Sequence, residues 1–246
     1  MNPQIGLDQC LTFINCQLQP RHTAEAANQT QTHFRAITIS RQSGAGGHSV
    51  AARLIELLDD RRHKGGSPWT VFDRNLVEKV LEEHHLPSRL ARFMPEDRIS
   101  EVTDAMDELF GLHPPSRSLV HQSAETILRL ADAGNVILIG RGANVITSKL
   151  DYVFHVRLVG SVENRIGTIQ RLESLTQREA SAFVYNEDLG RSRYLKKYFG
   201  KDIDDPLLYH LIINTDLVSY EQAARLIADQ VMPGRQWERG AWSVGA

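Results

Sequence analysis

The sequence predicts an α/β protein in three layers, with a five-stranded parallel sheet covered by helices on both faces. Three observations predict it. Five short runs rich in apolar and β-branched residues, at 36–40, 69–73, 135–140, 152–158 and 209–216, alternate with stretches of helical period. The runs read as near-continuous apolar segments, the pattern of strands buried on both faces. A cluster of glycines separates the first run from the first strong helix, at the sheet edge where open α/β folds bind ligands.

Each element follows from local pattern. Leu7, Cys10, Leu11, Ile14 and Leu18 recur at helical spacing, and the polar stretch after them reads as a linker, so 1–34 is a helix and tether. The apolar face of that helix calls for cover, from the body of the chain or from a second copy in a homodimer. Residues 35–232 form the expected core and 233–246 a loose tail. After the first strand, Val50, Ala51, Leu54, Ile55 and Leu58 mark one helical face. Asp73 ends the second strand and is placed to cap the helix of Leu76, Val77, Val80 and Leu81. An acidic segment within 86–115 reads as an insertion of short helices. Val120, Ala124, Ile127 and Ala131 form a helix that Gly134 ends, before the third strand. Ser161 starts a helix with Val162, Ile166 and Ile169 inward. Thr176 with Glu179 and Ser219 with Gln222 are capping-box signatures for the last two helices, the first of them running to about Phe199.

Composition narrows the function classes. The 246 residues are 41% hydrophobic and 24% charged, enough for one large α/β core with insertions. With 28 basic and 30 acidic residues the net charge is −2, so no positive field favours nucleic acid or an anionic membrane. Cys10 and Cys16 neither staple the fold nor form a metal set, and the adjacent His84 and His85 lack ligand spacing. The first residues lack the pattern of a secretory signal and no run is long enough for a bilayer span, so a cytoplasmic protein is expected.

The glycine cluster carries the chemistry. A loop that cradles phosphate needs glycines because several N–H groups must turn toward one anion, and side chains would block the approach. Ser43, Gly44, Ala45, Gly46, Gly47, His48 and Ser49 supply such a loop between strand and helix. Against the pattern G-x-x-x-x-G-K-[ST], Arg41 stands at the first glycine and Gly47 at the lysine. The missing ammonium removes a point charge from the β- and γ-phosphates, and Arg41 is the nearest substitute.

The segments ITISRQSGAGG, FDRNLVEKV, ILIGRGAN, FHVRLVGSVENRI, YNEDLGRSRYLKKYFG and LIINTD, in that order, resemble the landmarks of the cytidylate kinase-like family from about Ala36 to Val231. The resemblance implies a P-loop nucleoside monophosphate kinase fold with helical acceptor-binding and lid insertions, and a branch whose loop reads S-R-Q-x-G-x-G-G in place of a lysine-bearing one. It implies ATP as phosphoryl donor, Mg²⁺ with it, and a small phosphate acceptor such as CMP.

Individual charges take roles on that basis. Arg141 follows an apolar strand in GRG, where a guanidinium can fork onto a monophosphate. Gly142 stands where a similar G-R-D run of orthodox cytidylate kinases has aspartate. Asp73 and, more weakly, Arg74 are the other candidates for the acceptor, with helix capping the favoured explanation of Asp73. Val184, Asp188, Arg191, Leu195 and Tyr198 share one helical face, so two charges interrupt an apolar stripe. They form either an ion pair that joins the helix to its neighbours or, as the resemblance implies, a catalytic part of the lid, with Arg193 nearby. Asn214, Thr215 and Asp216 end the last strand and either border the adenine pocket or, by the cheaper explanation, make a turn. The expectation is an ATP-dependent nucleoside monophosphate kinase. A nucleotide-binding regulatory module and a kinase of another small molecule are the competing readings.

Overall fold

The computed structural model describes residues 34–62, 67–73, 119–140 and 142–233. The expected helix at 7–18, the insertion at 86–115 and the tail beyond 233 lie outside them.

The sheet follows from the five apolar runs. β1 (Ala36–Arg41), β2 (Thr70–Phe72), β3 (Val136–Ile139), β4 (Val153–Val159) and β5 (Leu211–Asn214) pair in the order β2-β3-β1-β4-β5. Every pairing is parallel. Between the strands run α1 (Gly47–Arg61), α2 (Leu119–Ala133), α3 (Ala143–Ile146), α4 (Val162–Glu173), α5 (Gln177–Phe199) and α6 (Tyr220–Val231). A single 3₁₀ turn at Pro206–Leu208 precedes β5. Among these helices none is long and apolar enough to cross a membrane.

Strand alternation gives the two faces of the sheet different chemistry. Ile37, Ile39, Phe154, Val156 and Leu158 pack with Val50, Leu54 and Leu58 of α1 and Ala223, Ile227 and Val231 of α6. Each such buried aliphatic side chain contributes about 1.5–3 kcal/mol, which makes this face the anchor of the fold. The opposite face of the same two strands is polar in its middle. Thr38 lies beside His155 and Ser40 beside Arg157 in the β1–β4 register, and all four are buried.

Helix ends sit where the capping chemistry puts them. The Ser161 side chain accepts from the Asn164 N–H, and both capping boxes, Thr176 with Glu179 and Ser219 with Gln222, are closed in both directions. α5 stops at Gly200, whose φ of 65° releases the chain from the helix. One expectation fails in α4. Val162 is 45% exposed, while Arg165 is buried. The reason is the surface α4 meets at its first turn, which is the polar glycine loop and not the apolar core.

α5 shows the same logic over a greater length. Its buried residues are Ala180, Val184 and Leu195. The first two pack on Ile169 of α4, and Leu195 packs with Val145 of α3 and Ile203. The helix is thus held near both ends. Its charged middle, around Asp188 and Arg191, crosses the glycine loop, so charges stand where an apolar stripe has nothing apolar to touch. Tyr198, expected on the stripe, is 41% exposed.

Candidate phosphate-binding site

The loop after β1 owes its shape to two glycines. Gly44 has φ of 82° and Gly46 of 83°, a left-handed conformation that L side chains rarely adopt. A Cβ at Gly44 would strike the backbone of Arg165, and one at Gly46 the ring of Tyr220. Gly46 caps α1 without a side chain, so the first N–H groups of the helix stay available to an anion.

The loop already holds an oxyanion. The Ser43 N–H donates to Asp188 Oδ1 at 2.7 Å. Arg165 Nη1 donates to Asp188 Oδ2 at 2.6 Å, and Arg191 Nη1 to Asp188 Oδ1 at 3.1 Å. A carboxylate from α5 therefore rests on a loop amide between two guanidinium groups, an arrangement that suits a phosphate oxygen equally well. The Asp188–Arg191 pair expected within α5 is present, but it also ties the helix to the loop. Arg191 carries a second ion pair, to Glu187 at 2.8 Å.

Arg41 enters the same cleft from the end of β1. Its side chain runs 3.1 Å from the position a Gly47 Cβ would take, and its guanidinium fills the space beside Gly140. A side chain at either glycine would push it aside. Among the described residues no carboxylate forms an ion pair with it. Burial, and then the neighbouring charge of Arg191, lower its pKa from the usual arginine value to about 10, against the opposing pull of Asp73, Glu187 and Asp188. Among the described residues the group is a cation without an ion-pair partner.

Arg157 completes the cleft. It is 4% exposed at the C-terminal part of β4, donates to Ser40 Oγ at 3.0 Å, and pairs with Asp204 Oδ1 at 2.6 Å. The Tyr209 ring lies 5.6 Å from its guanidinium carbon. Arg41, Gln42, Arg157, Asp188, Arg191 and Asp204 line a recess of about 60 Å³. That is room for a few waters or one phosphate-sized group, not for a nucleotide.

The other expected residues are placed as follows. His48 Nε2 lies 3.3 Å from Asp73 Oδ2, at the exposed mouth of the loop. Ser49 lies in the first turn of α1. Asp73 is described, but the helix it was expected to cap, together with Arg74, lies outside the described residues, as does Arg141. Gly142 has a packing reason to be glycine, since φ is 70° and a Cβ would sit 3.0 Å from the Phe199 ring. Thr215 and Asp216 make a turn. Thr215 Oγ1 donates to the Val159 carbonyl, and the Asp216 carboxylate accepts from the Ser161 N–H, a bond that holds it below the usual carboxylate range.

Sequence reasoning missed Arg165 as a site residue. Its signal was available, because Arg165 falls three residues after Val162 and four before Ile169, a cation on the face assigned to the interior. Arg157 breaks an apolar strand in the same way. Asp204 gave no such signal, being one of three aspartates in the loop segment KDIDDP.

Comparison with known proteins places this geometry. The profile of the cytidylate kinase-like family matches residues 36–217, from the first residue of β1 to just past β5. The chain belongs to the cytidylate kinase-like family. Among relatives, it is 24% identical over 170 residues to a cytidylate kinase of Methanococcus aeolicus, covering 66% of this chain and 92% of that one. It is 27% identical over 103 residues to a cytidylate kinase of Aeropyrum pernix, spanning 42% of this chain and 59% of the relative's length. Among solved structures, a protein from Eubacterium ventriosum of uncharacterized function shares the fold at a TM-score of 0.62 and 18% identity, over 81% of this chain and 98% of that one. Membership of the cytidylate kinase-like family agrees with a parallel sheet of this order and with a glycine loop at its C-terminal edge.

Proposed function

We propose that the protein transfers a phosphoryl group from ATP to a nucleoside monophosphate, with CMP as the acceptor that its named relatives suggest. The observation that carries this reading is Arg41, a guanidinium without an ion-pair partner among the described residues, wedged between Gly47 and Gly140 and facing the glycine loop. Arg41 takes the place of the absent lysine and neutralises charge on the transferring phosphoryl group. The amides of the loop, from Ser43 to Ser49, bind the donor phosphates. Asp188 yields its place on Ser43 to a phosphate oxygen, which frees Arg191 and Arg165 to act as cations on the same group. Arg141, Arg74 and Asp73 orient the acceptor.

The residues present suit a magnesium nucleotide. Mg²⁺ carried on nucleotide phosphates takes only one or two carboxylates from the protein, and Asp73, 31% exposed beside the loop, is in position to supply one. When bound, the ion would offset charge on the donor phosphates. The work of this chain is positioning and charge stabilisation.

The test is a coupled assay of the full chain with Mg·ATP against CMP and the other nucleoside monophosphates. Monophosphate-dependent release of ADP is expected, and Arg41→Ala should lower kcat/KM by about 100-fold or more while leaving the far-UV circular dichroism intact. No turnover of any monophosphate at saturating Mg·ATP would overturn the reading.

A further inference from the structure

The Arg157–Asp204 pair is unusual in its asymmetry. The Arg157 side chain is 4% exposed, whereas that of Asp204 is 71% exposed. A carboxylate recruited only to neutralise a buried arginine is itself expected to be buried, because a pair open to water on one side is weakened by solvent. Asp204 instead reaches in from a loop and touches one edge of the guanidinium. Among the described residues, the other contacts of Arg157 come from the scaffold. The Ser40 hydroxyl accepts on one side and the Tyr209 ring covers a face, while Tyr209 is itself tied to the Ile203 carbonyl at 2.8 Å. The guanidinium is therefore fixed in place, and Asp204, its acidic partner among the described residues, is the removable part.

The recess in front of it strengthens the point. It is lined by Arg41 and Arg191 as well as Arg157, and both of its carboxylates, Asp188 and Asp204, are bound to arginines at its wall. Three guanidinium groups around a space of about 60 Å³ match the size and charge of one phosphate group.

We infer that Arg157 is an oxyanion-binding residue at the floor of this recess, and that Asp204 is its resident stand-in, displaced when a phosphate group of a bound ligand arrives. The inference deepens the proposed function and rests on it for the identity of the ligand, either the acceptor monophosphate or a donor phosphate. The existence of the anion site does not depend on turnover. A competitor that must be displaced lowers the apparent affinity of the ligand by the fraction of molecules in which the site is open. Removing the competitor should raise it.

The experiment measures binding of inorganic phosphate alone to the full chain by calorimetry, with Asp204→Asn compared with the parent. Asp205→Asn serves as the charge-matched control, since Asp205 caps the following 3₁₀ turn and asparagine caps as well as aspartate. Asp204→Asn is expected to bind phosphate about fivefold or more tightly than both. The gain should vanish in the double variant Arg157→Lys, Asp204→Asn, where the charge remains and the fork is lost. Equal affinities for Asp204→Asn and Asp205→Asn would overturn the inference. So would a lower melting temperature for Asp204→Asn at parental affinity, the signature of a purely structural pair, or a gain that persists in the double variant. Parallel titrations with ATP alone and CMP alone identify the ligand phosphate by which affinity shifts. Failure of both nucleotides to bind would remove the proposed function, while the inorganic phosphate titration would still decide the fate of Arg157.

Discussion

His155 lies in the middle of β4 with 6% of its surface exposed, hydrogen-bonded through Nδ1 to Thr38 Oγ1 at 2.9 Å. Burial, and then the nearby His210, lower its pKa from 6.5 to about 4. The unfolded chain therefore binds a proton at this residue near pH 6.5, whereas the folded chain refuses it until about pH 4. Stability from this source is complete above the unfolded value and is lost as pH falls through that window, by at most about 3 kcal/mol in all. Urea unfolding at steps from pH 7 to 4 should show the decline in the parent and a shallower one in His155→Gln, which keeps a polar partner for Thr38 and cannot titrate. Parallel curves for the two would exclude the histidine as the cause. At this scale the sequence was partly legible. Arg41 could be singled out because it stands in a motif with known spacing. Arg165 carried a weaker signal, a cation on the face assigned to the interior, and only the packing of α4 against the loop shows what that cation touches.

Among elements, the glycine loop and α5 give opposite answers to the same substitution. Gly46→Ala places a Cβ in a left-handed residue with φ of 83° and drives it into the Tyr220 ring of α6. The backbone term costs about 1–2 kcal/mol and the overpacking about 1–3 kcal/mol, so a loss of about 2–5 kcal/mol is expected in denaturant unfolding. Gly190→Ala, in α5, meets nothing within 4 Å and should stabilise by up to about 1 kcal/mol through helix propensity alone. A destabilised Gly190→Ala, or a neutral Gly46→Ala, would contradict the packing described for these two elements. Element boundaries were legible wherever capping chemistry is written into the chain, as at Ser161, Thr176 and Ser219. What α5 does with its charged middle was not, since the helical period shows that Asp188 and Arg191 share a face but not that the face crosses a loop. Asp204 was less legible still. Its partner comes from a strand 47 residues away in sequence.

For the molecule as a whole, the five strands and their order of appearance could be read from alternating apolar runs, because a parallel sheet covered on both faces leaves few other patterns. The convergence of β1, β4, α5 and the segment before β5 on one small recess is a property of the closed fold. In the state described, the Ser43 amide is satisfied by Asp188 and the space between the arginines is too small for a nucleotide. On the proposed function a bound phosphate chain replaces that carboxylate, which would link ligand binding to the docking of α5 on the loop. If the loop binds phosphates as proposed, Mg·ATP at about 100 times its Kd should stabilise the chain by about 2.7 kcal/mol, since the unfolded chain has no such site. For a domain of this size that corresponds to a rise in Tm of about 5–10 °C in a thermal scan. ADP should act in the same direction, and a chelator should diminish the shift by removing the cation that offsets phosphate charge. Adenosine, which carries the base and sugar without phosphates, should produce no shift, because the loop amides and the three arginines have nothing on it to hold. A shift from adenosine as large as that from ATP would place the binding energy on the base, and the glycine loop would then have no part in nucleotide recognition.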